Sequence, residues 1–89
     1  MTTEAPYVIL KRTLTRCGFR QGETAIECRV TESYIGSVLN GRTPISARLA
    51  VRLGKIAESP EYWWKLQCDA DLVTAYAEEK NGLIVGYSR

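Results

Sequence analysis

Residues 18 to 46, GFRQGETAIECRVTESYIGSVLNGRTPIS, decide the fold. The stretch reads as two short helices joined by a tight turn. Ala25 is small enough to sit where two crossing helices touch, and Val30 leads into Thr31, from which a second helix runs over Glu32 to about Leu39. Thr31 is an expected N-cap, because its hydroxyl can accept from an unpaired backbone N–H of the first turn. Val30 before the cap and Ile35 at the fourth helical position have the spacing of a hydrophobic staple. Ile35, Val38 and Leu39 form one apolar stripe, with Glu32, Ser33, Tyr34, Ser37 and Asn40 mostly off it. Gly41 can adopt the left-handed conformation that ends a helix. This is the layout of a helix-turn-helix, whose second helix can lie in the DNA major groove.

Outward from the motif, a helix is expected over Pro6 to Cys17, with Tyr7, Leu10, Leu14 and Cys17 as its inner stripe and Gly18 as its exit. The motif's first helix spans about Gln21 to Cys28. Ser46 opens a fourth helix, with Leu49, Ala50, Leu53 and Ile56 inward and Arg48, Arg52 and Lys55 outward. Ser59 caps a fifth, with Pro60 at its first position and Glu61 favouring its N-terminus. Trp63, Leu66, Ala70 and Val73 or Tyr76 give this helix an apolar face, and Asn81-Gly82 ends it. Trp63 and Trp64 are adjacent and cannot both face one core; which of them is buried stays open, with Trp64 the candidate for exposure. Leu83 to Tyr87 (LIVGY) is β-prone and suits a short strand or a dimer-forming arm. The expected organisation is a flexible N-terminus at 1–5, a helical domain at 6–80 and a strand or arm at 81–89. The fold class is all-α, a five-helix helix-turn-helix domain.

Eighty-nine residues make one domain, and a core this small gives a motive for dimerising. The net charge of +2 hides an asymmetry. Residues 1–57 hold nine Lys/Arg against four acids, a net +5, and residues 58–89 hold three against six, a net −3. A basic half that contains the helix-turn-helix suits a polyanion; the acidic half suits a basic protein partner, and both also fit plain solvated faces. Cys17, Cys28 and Cys68 form no CxxC pair and the chain has no His, which argues against a structural zinc site and any other cofactor. Cys17 and Cys28 fall on apolar helix faces, as small hydrophobes. The missing His, the lack of a Gly-rich phosphate loop, and Asp69 and Asp71 pointing to different sides of a helix all speak against an enzyme. No apolar run near 18 residues and no signal peptide is present, so a cytoplasmic protein without membrane contact is expected.

The sequence resembles the XRE-type helix-turn-helix family, and within it the HigA-like antitoxin branch. The resemblance covers roughly residues 7 to 77. Its carriers are Gly18, Gln21, Glu23, Ala25 and Val30, then Ser37-Val38-Leu39-Asn40-Gly41-Arg42, Pro44-Ile45-Ser46, Leu49-Ala50-Val51-Arg52-Leu53-Gly54, Ser59-Pro60-Glu61-Tyr62-Trp63 and Leu66-Gln67. It implies a lambda-repressor-like fold and a repressor that binds a palindromic operator in double-stranded DNA as a homodimer, its recognition helices roughly 34 Å apart. It further implies a RelE-fold toxin that cleaves mRNA as partner, neutralised by this chain in a HigBA-type pair that represses its own operon. Four positions depart from the family pattern: Arg20 stands where a Ser or Thr cap is usual, Gly22 and Thr24 replace better helix formers, and Arg29 takes the turn position usually held by Gly, at a conformational cost.

In such a fold the first turn of the third helix points at base edges, so Ser33, Tyr34 and Ser37 are the candidate readers. Glu32 can accept from a cytosine amino group or simply oppose the helix dipole. Gln21 matches the family position that contacts the phosphate backbone. Arg42, just past the recognition helix, and Arg20 and Arg29 have the reach for phosphates. Thr31 and Asn40 complete the candidate set, with helix capping and helix termination as their alternatives. A phage or other XRE-type repressor without a toxin, and a helical protein-interaction module that has lost DNA binding, remain open beside the antitoxin reading.

Overall fold

The computed structural model describes residues 4–80, and these form five helices: α1 (Pro6–Cys17), α2 (Gln21–Cys28), α3 (Glu32–Leu39), α4 (Ala47–Leu53) and α5 (Pro60–Lys80). There is no strand among the described residues; the LIVGY run expected as a strand or arm lies outside them. Glu4 and Ala5, at the end of the segment expected to be flexible, are attached. Glu4 pairs with Arg12, and the Ala5 carbonyl accepts from Val8 and Ile9 N–H (3.1 and 3.3 Å).

Local chemistry sets the boundaries. The Thr31 hydroxyl accepts from Tyr34 N–H (3.1 Å), Ser46 from Leu49 N–H (3.1 Å) and Ser59 from Tyr62 N–H (3.1 Å). Arg20, which has no acceptor in its side chain, cannot do the same for α2. There the Glu23 carboxylate accepts from Arg20 N–H (2.8 Å), which is one half of a capping box. Thr24 is fully buried, and its hydroxyl donates to the Arg20 carbonyl (2.9 Å), so the polar residue at a core position leaves no orphan.

Three helices end in one device. Phe19 N–H reaches Leu14 O (2.8 Å), Val30 N–H reaches Ala25 O (3.0 Å) and Arg42 N–H reaches Ser37 O (2.9 Å). Each is the six-to-one bond of a Schellman motif, with a left-handed residue inside it. That residue is Gly18 (φ 82°) after α1, Gly41 (φ 78°) after α3 and Arg29 (φ 58°) after α2. Arg29 therefore does with a side chain what glycine does at the other two ends.

The core joins Leu10, Leu14, Ala25, Cys28, Ile35, Val38, Leu39, Ile45, Leu49, Ala50, Leu53 and Trp63. Trp63 is fully buried, its indole N–H donating to Ala57 O (2.9 Å), whereas Trp64 is exposed. Pro60 is packed so closely on Gly54 that a Cβ there would lie 2.3 Å from Pro60 Cδ. No helix among the described residues is long and apolar enough to cross a membrane.

Three expectations fail. Cys17 is exposed, because α1 turns Thr13 inward beside Leu10 and Leu14 and leaves its last turn in solvent. Val73 and Tyr76 are 47% and 68% exposed: α5 outruns the short helices beneath it, and every residue from 71 to 80 is exposed. Only Trp63 and Gln67 of α5 are buried, with Leu66 and Ala70 half-buried. Arg52 does not point outward; its guanidinium donates to the carbonyls of Cys28 (3.1 Å) and Arg29 (3.3 Å).

Candidate nucleic-acid interface

The site is built around the first turn of α3. Its inner face, Ile35, Val38 and Leu39, is buried, which leaves Glu32 and Ser33 exposed and Ser37 half-exposed on the other side. Tyr34 is half-buried against the core, with Val30 beside it. The phenol thus stands on the rim of α3, held by packing.

Two contacts position α3 on α2. Gln21 Nε2 donates to the Glu32 carbonyl (3.3 Å), so the first residue of α2 is tied to the first residue of α3. Gly36 makes room for this amide: a Cβ at that position would lie 3.0 Å from Gln21 Nε2. The Glu32 carboxylate lies over Gly22, where a Cβ would come within 3.6 Å of Oε1. It therefore sits against the first turn of α2 as well as at the start of α3, facing two helix N-termini whose partial positive charge favours an anion.

The turn between α2 and α3 is secured from α4. Arg52 binds the last carbonyls of α2, where a cation is favourable, and holds the left-handed Arg29 in place. The loop after α3, which carries Arg42, is held from α5: the buried Gln67 accepts from Ile45 N–H (2.9 Å) and donates to Asp71 (2.9 Å). Neither support was expected from the sequence, since each joins residues more than 20 positions apart. In Gln67 the signal was a polar residue one turn from Trp63 on the inner face of α5.

Of the expected contact residues, Arg20, Gln21, Arg29, Thr31, Glu32, Ser33, Asn40 and Arg42 are exposed, and Tyr34 and Ser37 are partly so. Arg20 and Gln21 stand at the start of α2, and Arg29, Thr31, Glu32, Ser33 and Tyr34 around the turn and the start of α3. Ser37, Asn40 and Arg42 lie at its far end. Thr31 is occupied as a cap, Gln21 is partly committed to Glu32, and Asn40 is the C-cap of α3. What remains is a polar helix face of hydroxyls rimmed by guanidinium groups, the composition that contact with base edges and phosphates requires.

No protein-family model matches the chain. It is 33% identical over 69 residues to the virulence-associated protein A′ of Dichelobacter nodosus, a match that takes in 75% of this chain; the chain spans 60% of that relative's length. Among solved structures it superposes with a TM-score of 0.82 on the antitoxin HigA of Pseudomonas aeruginosa, determined with the higBA promoter. That match has 25% identity and covers 98% of this chain and 97% of that one. With antitoxin GraA the TM-score is 0.81 at 28% identity, over 100% of this chain and 98% of the other. The helix-turn-helix built by α2 and α3 is thus the fold of the HigA-like antitoxins, the branch of XRE-type proteins that the sequence resembles.

Proposed function

We propose that this chain is a sequence-specific DNA-binding repressor of the HigA antitoxin type, and not an enzyme. It binds a palindromic operator as a homodimer, with one α3 in each of two successive major-groove segments. The observation that carries this reading is the exposed hydroxyl face of α3, flanked by Arg20, Arg29 and Arg42, on a fold shared over nearly its whole length with an antitoxin determined with promoter DNA. Ser33, Tyr34 and Ser37 read bases; the arginines and Gln21 neutralise or bind phosphates, so affinity falls with salt. Glu32, turned back on α2, serves the helix termini and stays out of the reading set.

The partner of the second activity is a small basic RelE-fold toxin that cleaves mRNA, whose binding to this chain inhibits it. The acidic residues of 58–89, the exposed end of α5 among them, fit such a partner electrostatically. Two experiments test the two halves. A reporter driven by the chain's own upstream DNA is repressed by the wild type and released by Ser33→Ala with Ser37→Ala; continued repression by that double variant contradicts the role of α3. Co-expression with the product of the adjacent gene gives a co-purifying complex; repression without any complex leaves a repressor with no toxin.

A further inference from the structure

The cations of α1 to α4 divide by what they touch. Arg12 is paired with Glu4, Arg16 with Glu58 (3.8 Å), and Arg52 binds the α2 carbonyls. Lys11 and Arg48, both exposed, make no ion pair or side-chain hydrogen bond among the described residues. Neither belongs to the helix-turn-helix motif, yet each stands beside it.

Lys11 lines a cleft of about 500 Å³ between the end of α1 and the start of α2, together with Arg20 and Gln21. Gln21 is tied to the first residue of α3, so this cleft lies along one flank of the recognition helix. Arg48 lines a second cleft, of about 340 Å³, with Thr31 and Tyr34, on the α4 side of that helix. Arg52, one helical turn along the same face of α4, lines this cleft too and is anchored to the α2–α3 turn. Cations outside the motif thus stand on both flanks of α3. A helix lying in the major groove has a phosphate backbone on each side of it.

We propose that Lys11 and Arg48 are DNA-backbone contacts, one on each side of the groove that α3 enters. This inference rests on the DNA-binding reading above and extends it to two residues of α1 and α4. Such contacts position the protein and add affinity, and they carry no sequence information. Both side chains are exposed and bind nothing else among the described residues, so their removal leaves the fold intact.

The test is a titration of labelled upstream DNA at several salt concentrations, followed by fluorescence anisotropy. It compares the wild type with Lys11→Ala, Arg48→Ala, Arg48→Lys and Lys65→Ala, the last a cation of α5 paired with Asp69. Removing one phosphate-binding cation makes the slope of log K against log salt shallower by about 0.9 per chain, about 1.8 for a bound dimer, so a fourfold rise in salt costs about 12-fold less affinity than before. Lys11→Ala and Arg48→Ala are expected to show this with an unchanged preference over random DNA. Arg48→Lys and Lys65→Ala are expected to keep the wild-type slope. Specific wild-type binding together with wild-type slopes for both alanine variants overturns the inference and leaves the repressor reading standing. A wild type that does not bind DNA overturns both.

Discussion

Replacing Arg29 by glycine should move stability and DNA binding in opposite directions. Arg29 occupies the left-handed position of the Schellman motif that ends α2, at φ 58° and ψ 44°. For a residue with a Cβ this conformation costs roughly 1–2 kcal/mol. Glycine escapes that cost but brings back about 0.5–1 kcal/mol through its greater freedom in the unfolded chain. The net gain for Arg29→Gly is about 0.5–1 kcal/mol, because nothing else in the turn depends on the side chain. The bonds that hold the turn, Val30 N–H to Ala25 O and Arg52 to the Cys28 and Arg29 carbonyls, are all made to backbone atoms and survive the change. In a domain of this size such a gain raises the melting temperature by about 2–8 °C. If the guanidinium also contacts phosphate, the same variant loses affinity for DNA of any sequence and shows a shallower salt dependence. Thermal unfolding by circular dichroism and anisotropy titrations on the same preparations measure the two effects. A lower melting temperature for Arg29→Gly would refute the strain argument, since it would mean that the side chain stabilises the turn.

Other outcomes follow from single contacts. Thr31→Ala should cost about 1 kcal/mol in denaturant unfolding, because the first turn of α3 loses its side-chain cap. Gln67→Leu should cost about 1–3 kcal/mol, because the Ile45 N–H is left buried without an acceptor; a neutral result would show that the loop after α3 relaxes to find water. Reaction with a thiol reagent at mild alkaline pH should label Cys17 and Cys68 quickly and Cys28 only on unfolding. Cys28 is fully buried and desolvation pushes its thiol pKa up, which further depletes the reactive thiolate. The Glu4–Arg12 pair should add little to the pH dependence of stability. The Arg12 guanidinium hydrogen-bonded to Glu4 holds that carboxyl below its usual value, so the pair stabilises above the unfolded pKa and is lost only as pH falls through the lower folded one. Both groups are solvated, so Glu4→Gln should leave the melting temperature unchanged.

The helices were legible because their signals are local. Thr31, Ser46 and Ser59 mark N-termini by the chemistry of one side chain, Gly18 and Gly41 mark C-termini by their backbone, and the apolar stripe of α3 follows from helical spacing alone. That one of Trp63 and Trp64 is exposed follows from their adjacency on a helix; which one it is depends on the packing of α5 on the core. The failures have a common physical origin in contacts between distant segments. Arg52 has the pattern of an outward cation on α4, and only the approach of the carbonyls at the end of α2 gives it a structural task. Val73 and Tyr76 continue the spacing of Trp63 and Ala70, but periodicity does not say where the opposing surface ends. Gly54 and Pro60 are each explicable as helix punctuation, while their contact arises only when α4 and α5 fold against one another. In the candidate site, the exposed face of α3 follows from its apolar stripe. The anchoring of that face by Gln21, Gly36 and Arg52 is tertiary and had no local signal.

The central claim is that the exposed first turn of α3 reads DNA. The measurement that tests it most directly is a binding titration of the purified protein on its own upstream DNA, with random DNA as competitor, for the wild type and Ser33→Ala. Ser33 is exposed and its side chain makes no hydrogen bond among the described residues, so stability should not change. The account predicts a specific, salt-sensitive complex for the wild type and, for Ser33→Ala, a smaller preference over random DNA with the same salt slope. A Ser33→Ala protein that keeps the full wild-type preference, or a wild type that random DNA displaces as readily as its own upstream sequence, would contradict it.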